Sequence, residues 1–408
     1  VNWGLWMLLG CSIRRLGAEI VGSRAAAWAA AVVACTPAIF FNARVTGTEI
    51  ALTLWSFLAL VCVWRWMRTD EPRALILAGV FGGLAAGAKY AGVFTCAVLA
   101  AMVLWRGGLR PALRFGLVAA VLFLPWPIRT FLASGNPVYP YFESLPGRTH
   151  LPPGQAAGWL GTTRNSHLIQ SWRDRLLHPW ILTTRQHEAH HHAGPVYLAL
   201  APLVLWVALR GWPAERLAAQ FALGYWALWA SISMGVRFLI PAFPALALAG
   251  LSRLLPLPIR VGAGLAPARL IRIALVAFCL IGLLRAADKA VSEGGWRVVL
   301  GVEPAGAFLS RQAHPSYPAI EFANASLPAD ARILFVGETR GAYLERRALI
   351  GSSFDWPPLA EFASRSADGE ALYANLRAAG VTHLLVHAGV GRAFGTLDRW
   401  RTPTDAAK

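Results

Sequence analysis

Charged side chains are scarce in this chain of 408 residues. Asp, Glu, Lys and Arg together make up 14% of the sequence, against about 25% in an ordinary soluble domain. Hydrophobic residues make up 56%, where roughly 45–50% is usual, and they are concentrated before residue 287. The shortage of charge therefore excludes an ordinary soluble domain and indicates an integral membrane protein.

Lysine is almost absent, and the net charge of +17 comes almost wholly from arginine, since Lys89, Lys289 and Lys408 are the only lysines. A strong positive charge is often a sign of nucleic-acid binding. Here the arginines are spread over alternate loops between apolar runs, as they are in membrane proteins. We therefore expect no nucleic-acid partner.

Motifs for disulfides, metals and nucleotides are missing as well. The five cysteines lie in or beside apolar stretches without a CxxC pair, and there is neither GxGxxG nor a P-loop. His187-Glu-Ala-His-His191 formally matches HExxH, but it lies in a polar, histidine-rich loop without an obvious third ligand. We predict that this tract is not catalytic and that the protein has no cofactor, and the sequence leaves open whether it depends on a divalent metal. Replacing His187, Glu188 and His191 by Ala should leave activity within about tenfold, or ~1.4 kcal/mol.

Ten apolar runs are the main positive signal in the sequence. They fall near residues 1–10, 25–41, 50–64, 74–88, 91–105, 115–128, 195–209, 217–232, 238–252 and 273–284. Several are shorter than the ~20 residues that a perpendicular span needs. The pattern predicts an α-helical polytopic membrane domain of about ten spans over residues 1–286.

The arginines predict the orientation of these spans. One set of alternate loops carries fifteen arginines, whereas the short loops of the other set carry only Arg44, Lys89 and Arg237. Because basic loops stay in the cytoplasm, the second set faces outward. The same scheme places a large loop at 129–193 and the tail at 287–408 outside, and it puts Val1 on the outer face.

Residues 74–105 test this scheme. As one helix these 32 residues would be ~48 Å long, too long for a bilayer core of ~30 Å. Both flanks are rich in arginine, so the chain has to enter the membrane and return. We predict two short helices that meet at Gly87-Ala88-Lys89-Tyr90, with the turn facing outward.

The tail reads differently, as alternating strands and helices. Residues 331–337 form a strand-like run, residues 368–379 have helical periodicity and stop at Gly380, and residues 381–386 form a second strand-like run. This order predicts a small α/β domain with a mostly parallel sheet over residues 287–408.

Candidate chemical groups are few on the predicted outer side. Glu49, in Thr46-Gly-Thr-Glu49, lies where an outer loop enters the next span, and a carboxylate there is costly unless it is solvated or paired. The cations nearest to outer span ends are Lys89, Arg129 and Arg237. Each of the four could also be a simple interfacial anchor. Together they would suit an anionic, lipid-linked substrate.

Four segments are similar to those of a known family. The first is residues 37–66, which include the loop that carries Glu49, and the second is the glycine-rich stretch 79–90, which ends in Lys89-Tyr90. The third is residues 125–140, which contain Pro125-Trp-Pro-Ile-Arg129 and Gly135-Asn-Pro-Val-Tyr-Pro140. The fourth is Arg237-Phe-Leu-Ile-Pro241. In this order they resemble GT-C-type membrane glycosyltransferases, the group of protein O-mannosyltransferases and lipid A aminoarabinose transferases.

The resemblance implies a function and a site. Sugar would pass from a polyprenyl-phosphate-linked donor to a glycan, lipid or protein acceptor, with inversion, on the outer face of the bacterial cytoplasmic membrane. Glu49 would be catalytic, and Lys89, Arg129 and Arg237 would bind the donor phosphate. The candidates for substrate binding are Tyr90, Asn136 and Tyr139. Members of the family carry a further acid in a first outer loop, which here would precede Val1, so we expect a further span and loop upstream.

Two other functions remain open at this stage. A transporter or flippase of a lipid-linked anion would use the same cations without chemistry, and would be expected to have internal repeats and discontinuous helices. The sequence shows no repeat, and only the glycine-rich hairpin could be read as a broken helix. A non-catalytic envelope assembly protein would bind a partner through its tail.

Overall fold

The computed structural model describes residues 2–139, 141, 171, 173–174, 177, 180–181, 183, 193–232, 235–256, 267–313, 316–351 and 357–387. The chain divides into two compact units. One comprises Val1–Ala133 and Ala157–Asp288, and the other comprises Ser134–Ala156 and Lys289–Lys408. The boundary near residue 288 falls within a single helix, Pro267–Glu293.

The first unit is helical, and each of the ten apolar runs lies in helical structure. Its helices are Asn2–Leu16, Ala18–Val21, Ser23–Cys35, Pro37–Arg44, Glu49–Thr69, Pro72–Ala88, Gly92–Gly107, Leu109–Phe123, Pro125–Ser134, Pro195–Arg210, Pro213–Ile232, Phe243–Leu254 and Pro267–Glu293. Short 3₁₀ turns at Val236–Phe238 and Ile240–Ala242 precede the helix Phe243–Leu254.

The lengths of these helices bear on the number of spans. Among the described residues, two helices, Glu49–Thr69 and Arg269–Glu293, are individually long and apolar enough to cross a membrane. The count rises to four if each of two bent helix pairs forms one span. Several further apolar helices are shorter. A total of about ten spans therefore stays a prediction.

Two apolar segments are broken helices, which corrects the expectation that broken helices would be confined to the glycine-rich hairpin. Ser23–Cys35 and Pro37–Arg44 meet at 60°, and Leu109–Phe123 and Pro125–Ser134 meet at 48°. Each second helix begins with a proline, which lacks the N–H for a helical hydrogen bond. At the first break Thr36 is extended, as expected for a residue before proline.

The predicted hairpin is confirmed, with a tight turn between Pro72–Ala88 and Gly92–Gly107. Its glycines also have a packing role that the sequence did not reveal. A Cβ atom at Gly79 would lie 2.9 Å from the carbonyl oxygen of Phe115, and one at Gly83 would lie 2.6 Å from that of Ala119. Small residues four apart let two helices approach closely, so these glycines bring Pro72–Ala88 against Leu109–Phe123.

The second unit contains a three-stranded parallel sheet, as predicted. Its strands are β1 (Arg332–Val336), β2 (Arg347–Leu349) and β3 (His383–Val386), in the order β2-β1-β3. Ile333 pairs with Ala348 on one side and with His383 on the other. The remaining elements are the helices Gly295–Val299, Ala305–Phe308, Tyr317–Ser326, Pro358–Ser364 and Gly369–Ala378, and a π-helical turn at Leu309–Ala313.

The predicted helix of this unit has the expected boundaries. The side chain of Asp368 accepts a hydrogen bond from the amide of Ala371 at 2.8 Å, which caps the N-terminus of Gly369–Ala378. Gly380 follows the helix with a φ of +77°, a conformation that favours glycine. β2 was not predicted, because its three residues are too few to show a pattern.

Candidate active site

Glu49 is the first residue of the helix Glu49–Thr69, here called the Glu49 helix. A carboxylate is favoured at a helix N-terminus, where the unpaired amides carry partial positive charge. The side chain folds back over the preceding loop, since a Cβ atom at Gly47 would collide with Glu49 Oε2. Asn2 Nδ2 donates to the carbonyl oxygens of Val45 at 2.5 Å and Gly47 at 2.8 Å. Asn2 thereby fixes the loop on which the carboxylate rests.

Lys89 comes to Glu49 from the hairpin turn. Its backbone is extended, with φ −166° and ψ 146°, and its Nζ donates to Glu49 Oε1 at 2.7 Å. Glu49 is 5% exposed, whereas the Lys89 side chain is 27% exposed. The pair therefore consists of a buried carboxylate and an ammonium group that still reaches solvent.

Gly92 explains why the turn can be so short. Its amide donates to the carbonyl oxygen of Lys89 at 2.8 Å, and a Cβ atom at this position would collide with the backbone of Ala85. Only glycine therefore lets the second helix of the hairpin start this close to the end of the first. The close start places Lys89 beside the N-terminus of the Glu49 helix.

Arg237 and Phe238 complete the cluster from a third segment, the 3₁₀ turn Val236–Phe238. Lys89 Nζ lies 4.3 Å from the centroid of the Phe238 ring, and Arg237 Cζ lies 5.0 Å from it. Both distances are within the range of cation–π attraction. Arg237 also acts electrostatically on the Glu49 carboxylate. One acid and two cations, far apart in sequence, thus share one site around an aromatic ring.

The floor of this site is apolar. Leu52, one turn into the Glu49 helix, packs with Ala85 and Ala91 in a buried cluster, and Trp55 and Phe238 lie against it. Buried apolar surroundings exclude water and strengthen electrostatic interactions. The charged groups therefore lie against buried apolar side chains.

Arg129 and Tyr90 contact aromatic side chains outside this cluster, although Tyr90 follows Lys89 in the chain. Arg129 is exposed, and its Cζ lies 5.9 Å from the Trp126 ring. Within the described ranges, no ion pair joins Arg129 to Glu49. The Tyr90 ring contacts Phe123 edge to face, with 6.4 Å between the ring centroids. The structure brings three of the four predicted charged groups together, and Arg129 is at most a neighbour of them.

Asn136 and Tyr139 belong to the second unit. The Asn136 side chain accepts a hydrogen bond from the amide of Val138 at 3.0 Å and donates to the carbonyl oxygen of Tyr141 at 2.8 Å. The Tyr139 amide donates to the carbonyl oxygen of Asn136 at 3.3 Å. Asn136 therefore organises its own turn, and its proposed contact with substrate stays a prediction.

An apolar groove of about 300 Å³ begins at the hairpin turn. It runs between the two hairpin helices and Leu109–Phe123. The groove is lined by Ala86, Val93, Cys96, Ala97, Ala100, Phe115, Gly116, Ala119, Ala120 and Phe123. Ala86 and Val93 flank the turn that carries Lys89, so one end of the groove lies at this turn.

The opposite end of the Glu49 helix carries a second ion pair. Arg65 lies sixteen residues after Glu49, or ~24 Å along the helix. It donates through Nε and Nη2 to Glu19, at 3.0 and 2.6 Å. Arg253 pairs with Glu215 near two other basic loops. The candidate site and the arginine-rich loop of this helix therefore lie at opposite ends, as the predicted topology requires.

A metal centre was not expected, and the described part of the chain contains no group of three or more His, Cys, Asp or Glu side chains that could hold a metal ion. The histidine tract with His187 and His191 lies outside the described residues. The candidate site itself offers a single carboxylate beside two cations. Such a set suits an anionic ligand better than a metal ion.

A comparison with models of protein families matches the N-terminal part of the chain. Residues 7–128 match the model of the family described as dolichyl-phosphate-mannose-protein mannosyltransferase. The matched stretch contains Glu49 and Lys89 and ends one residue before Arg129. A search of curated proteins gives no significant match.

Comparison with solved structures extends the match to nearly the whole chain. The crystal structure of ArnT from Cupriavidus metallidurans bound to undecaprenyl phosphate superposes with a TM-score of 0.51. The match covers 97% of this chain and 80% of that one, at 15% sequence identity. The GT-C-type fold is confirmed. At this identity the likeness concerns the fold, so the GT-C-type chemistry has to be argued from the site.

Sequence reasoning missed two contributors to the candidate site. Phe238 belongs to the segment Arg237-Phe-Leu-Ile-Pro241, but nothing in the sequence showed that its ring would lie against two cations. Asn2 holds the Glu49 loop across more than forty residues of sequence. A lone asparagine in an apolar run was the available signal, because its amide needs a partner when it is buried.

Proposed function

We propose that this protein transfers a sugar from a polyprenyl-phosphate-linked donor to an acceptor in the cell envelope. The observation that carries the proposal is the buried Glu49 carboxylate at 2.7 Å from Lys89 Nζ, with Arg237 beside it. A carboxylate can serve as a base, and the two cations can hold a phosphate. The family match over residues 7–128 and the fold of ArnT support the same reaction class.

Lys89 and Arg237 would hold the donor phosphate. The Lys89 ammonium has three N–H donors, of which one meets Glu49 in the structure. The other two can meet phosphate oxygens without breaking the ion pair. When the bond between the anomeric carbon and the phosphate oxygen breaks, negative charge grows on the leaving polyprenyl phosphate. Preorganised cations stabilise that charge.

Glu49 would act on the acceptor. As the acceptor oxygen or nitrogen attacks the anomeric carbon from the side opposite the phosphate, its proton passes to the carboxylate and the configuration inverts. An acid upstream of Val1 would share this work if the chain continues there, as the resemblance implies. Arg129, Tyr90, Asn136 and Tyr139 are proposed as peripheral contacts to donor or acceptor.

The apolar groove supports a lipid-linked donor. It begins beside the Lys89 turn and is lined by alanine, valine and phenylalanine side chains, which suit an isoprenoid chain. ArnT was crystallised with undecaprenyl phosphate. A nucleotide-linked sugar has no apolar chain to fill such a groove.

We place the reaction on the outer face of the bacterial inner membrane, with the tail also outside. The arginine distribution supports this placement, and the acceptor would be a glycan, lipid or protein. In a variant without native cysteines, single cysteines at Ser171 and Ser326 should be labelled in whole cells by an impermeant maleimide. Protection of either cysteine until the membrane is permeabilised would contradict the topology.

A transfer assay tests the proposed function. The purified chain in lipid nanodiscs, extended upstream if its gene encodes more, would be incubated with an undecaprenyl-phosphate-linked sugar and envelope extract. At a donor concentration well below the KM, we expect undecaprenyl phosphate to be released at the same rate by the wild type and by the control variant Lys289→Ala, and about thirtyfold more slowly by Lys89→Ala. Equal release by Lys89→Ala and the control would contradict the proposal.

The two broken helices favour one alternative, a flippase of a lipid-linked anion. Broken helices are common in transporters, where they form substrate sites. The breaks at Thr36 and Leu124 meet this expectation. Vesicles that carry the protein and a fluorescent polyprenyl phosphate distinguish the two functions, because a flippase moves the lipid between leaflets without a sugar acceptor and without chemical change.

A further inference from the structure

Tyr225 is a buried tyrosine at which two parts of the candidate site meet. It lies in the helix Pro213–Ile232 and is 0% exposed. Its hydroxyl contacts the carbonyl oxygen of Ala91 at 3.2 Å and that of Phe238 at 3.0 Å. Its ring is held by Phe94 and Phe221, with centroid distances of 5.7 and 6.0 Å. The hydroxyl has one proton, which the two carbonyl oxygens share.

The two acceptors belong to the segments that carry the cations. Ala91 is two residues after Lys89 in the hairpin turn, and Phe238 is next to Arg237 in the 3₁₀ turn. Neither Lys89 nor Arg237 lies within a regular α-helix, so their positions depend on contacts like this one. Trp229, one turn after Tyr225, donates through Nε1 to the carbonyl oxygen of Gly235 at 3.2 Å. One helix therefore supports the second segment twice and joins it to the first.

We propose that Tyr225 is a positioning residue that sets the spacing between Lys89 and Arg237 and thereby the affinity for the phosphate of the donor. The proposal rests on the proposed function, because it assumes that these two cations hold a phosphate. Two cations bind one phosphate well only when they are preorganised around it. Without the hydroxyl, the carbonyl oxygen of Phe238 loses this donor and that of Ala91 keeps only the amide of Phe94, so the link between the two turns is lost and they separate or shift.

A matched pair of variants tests this role. Tyr225→Phe removes the hydroxyl and keeps the ring. Tyr197→Phe removes another buried hydroxyl, which lies 2.8 Å from Thr36 Oγ1. The ring of Tyr197 stacks on Phe243, and neither of these described contacts involves a cation-bearing segment. Both proteins would be measured for thermal stability, for binding of undecaprenyl phosphate and for hydrogen exchange of the backbone amides of residues 89–93 and 235–239.

The two variants should differ in binding. We expect undecaprenyl phosphate to bind Tyr225→Phe about tenfold more weakly than wild type, with faster exchange in both segments. Tyr197→Phe should bind undecaprenyl phosphate as the wild type does, with unchanged hydrogen exchange in both segments, even if its melting temperature falls as far as that of Tyr225→Phe. Equal binding by Tyr225→Phe and wild type, or equal loss in the two variants, would overturn the proposal.

Two further measurements keep the test decisive. In an Arg237→Ala background, Tyr225→Phe should weaken binding less than twofold, because a positioning residue acts through the group that it positions. If Tyr225→Phe does not fold, Trp229→Phe is measured in its place. It should speed hydrogen exchange of the amides of residues 235–239 and not of residues 89–93. An equal change in the exchange rates of both segments would overturn the proposal. If the wild type binds no undecaprenyl phosphate, the proposed function fails, whereas the exchange pattern still decides whether Tyr225 joins the two segments.

Discussion

Two glutamates, Glu49 and Glu338, are almost equally buried, at 5% and 6% exposure, but they have different surroundings. Glu338, two residues after β1, accepts hydrogen bonds from Ser316 Oγ, from the amides of Thr339 and Arg340, and from two nitrogens of the Arg340 side chain. The Glu49 carboxylate meets one side-chain donor among the described residues, Lys89. Glu338 is saturated by its own neighbours, whereas Glu49 keeps acceptor capacity for a ligand.

This difference suggests how a structural carboxylate can be told from a functional one. Four of the five bonds to Glu338 come from the next two residues, so the arrangement serves to hold a turn. The one side-chain bond to Glu49 among the described residues crosses forty residues and joins it to a lysine whose side chain is partly exposed. A buried charge with so few partners is costly, and such cost is common at functional sites.

Removal of the charge at Glu49 should have the largest effect on the reaction. We expect Glu49→Gln to slow sugar transfer at least 100-fold, or ~2.7 kcal/mol, because the amide cannot accept the proton. The matched control is Glu19→Gln, which breaks the ion pair at the other end of the same helix and should keep transfer within threefold. Initial rates at saturating donor decide the comparison; equal loss in both variants would show that helix stability, and not chemistry, is affected.

Lys89 should rank second and act on binding. Lys89→Ala removes the ammonium that would contact the phosphate, so we expect the KM for the lipid-linked donor to rise about thirtyfold, or ~2 kcal/mol. Lys289→Ala, which removes a half-exposed lysine paired with Glu293, is the control and should leave KM unchanged. A normal KM in Lys89→Ala would separate this lysine from the donor.

Glu338→Gln should lower the stability of the second unit and leave sugar transfer unchanged, in contrast to Glu49→Gln. Burial raises the pKa of Glu338, but hydrogen bonds from Arg340, Ser316 and the two backbone amides lower it more, to about 2. Because the pKa is lower when folded than the ordinary 4.5, the carboxylate stabilises this unit above pH 4.5, and this stability is lost as the pH falls towards 2.

The measurement is hydrogen exchange of the β1 amides at pH 6 and at pH 3. Glu338→Gln should destabilise the second unit by about 1.5 kcal/mol at pH 6 and remove most of its difference between the two pH values. Glu361→Gln, in an exposed pair with Arg365, should change neither. Unchanged β1 exchange in Glu338→Gln would show that the turn does not need the charge.

Arg129 should have the smallest effect. It is exposed and lies over Trp126, and none of its described contacts joins it to Glu49, Lys89 or Arg237. We expect Arg129→Ala to change the KM for donor by no more than about threefold, or ~0.6 kcal/mol. A loss as large as that of Lys89→Ala would show that the site closes over Arg129 when the donor binds.

The sequence predicted those features that depend on local pattern. The apolar runs became helices because continuous hydrophobicity is a strong signal. The turn at Lys89 was predicted because residues 74–105 would be too long for the bilayer core as a single helix. β1, β3 and the helix that stops before Gly380 followed from short runs with clear ends.

Other features depend on contacts between distant residues and could not be predicted. The sequence placed Glu49, Lys89 and Arg237 at one membrane surface, but not at hydrogen-bonding distance. Tyr225, within an apolar run, gave no sign that its hydroxyl would reach two carbonyl oxygens in other segments. The contact of Asn136 with substrate stays a prediction, and the sequence did not show that its amide also closes a local turn.

The central claim is that the ion pair of Glu49 and Lys89 serves chemistry and not only stability, and exchanging its two charges tests this most directly. The double variant Glu49→Lys, Lys89→Glu would be compared with Glu19→Arg, Arg65→Glu, the exchanged pair at the other end of the helix. Each keeps an ion pair, and rates are compared only for variants whose melting curves show that they are folded, because a lysine at position 49 is disfavoured at a helix N-terminus. We predict that the Glu19 and Arg65 exchange retains sugar transfer, whereas the Glu49 and Lys89 exchange loses it at least 100-fold. Transfer at the wild-type rate by a folded Glu49 and Lys89 exchange would contradict the account.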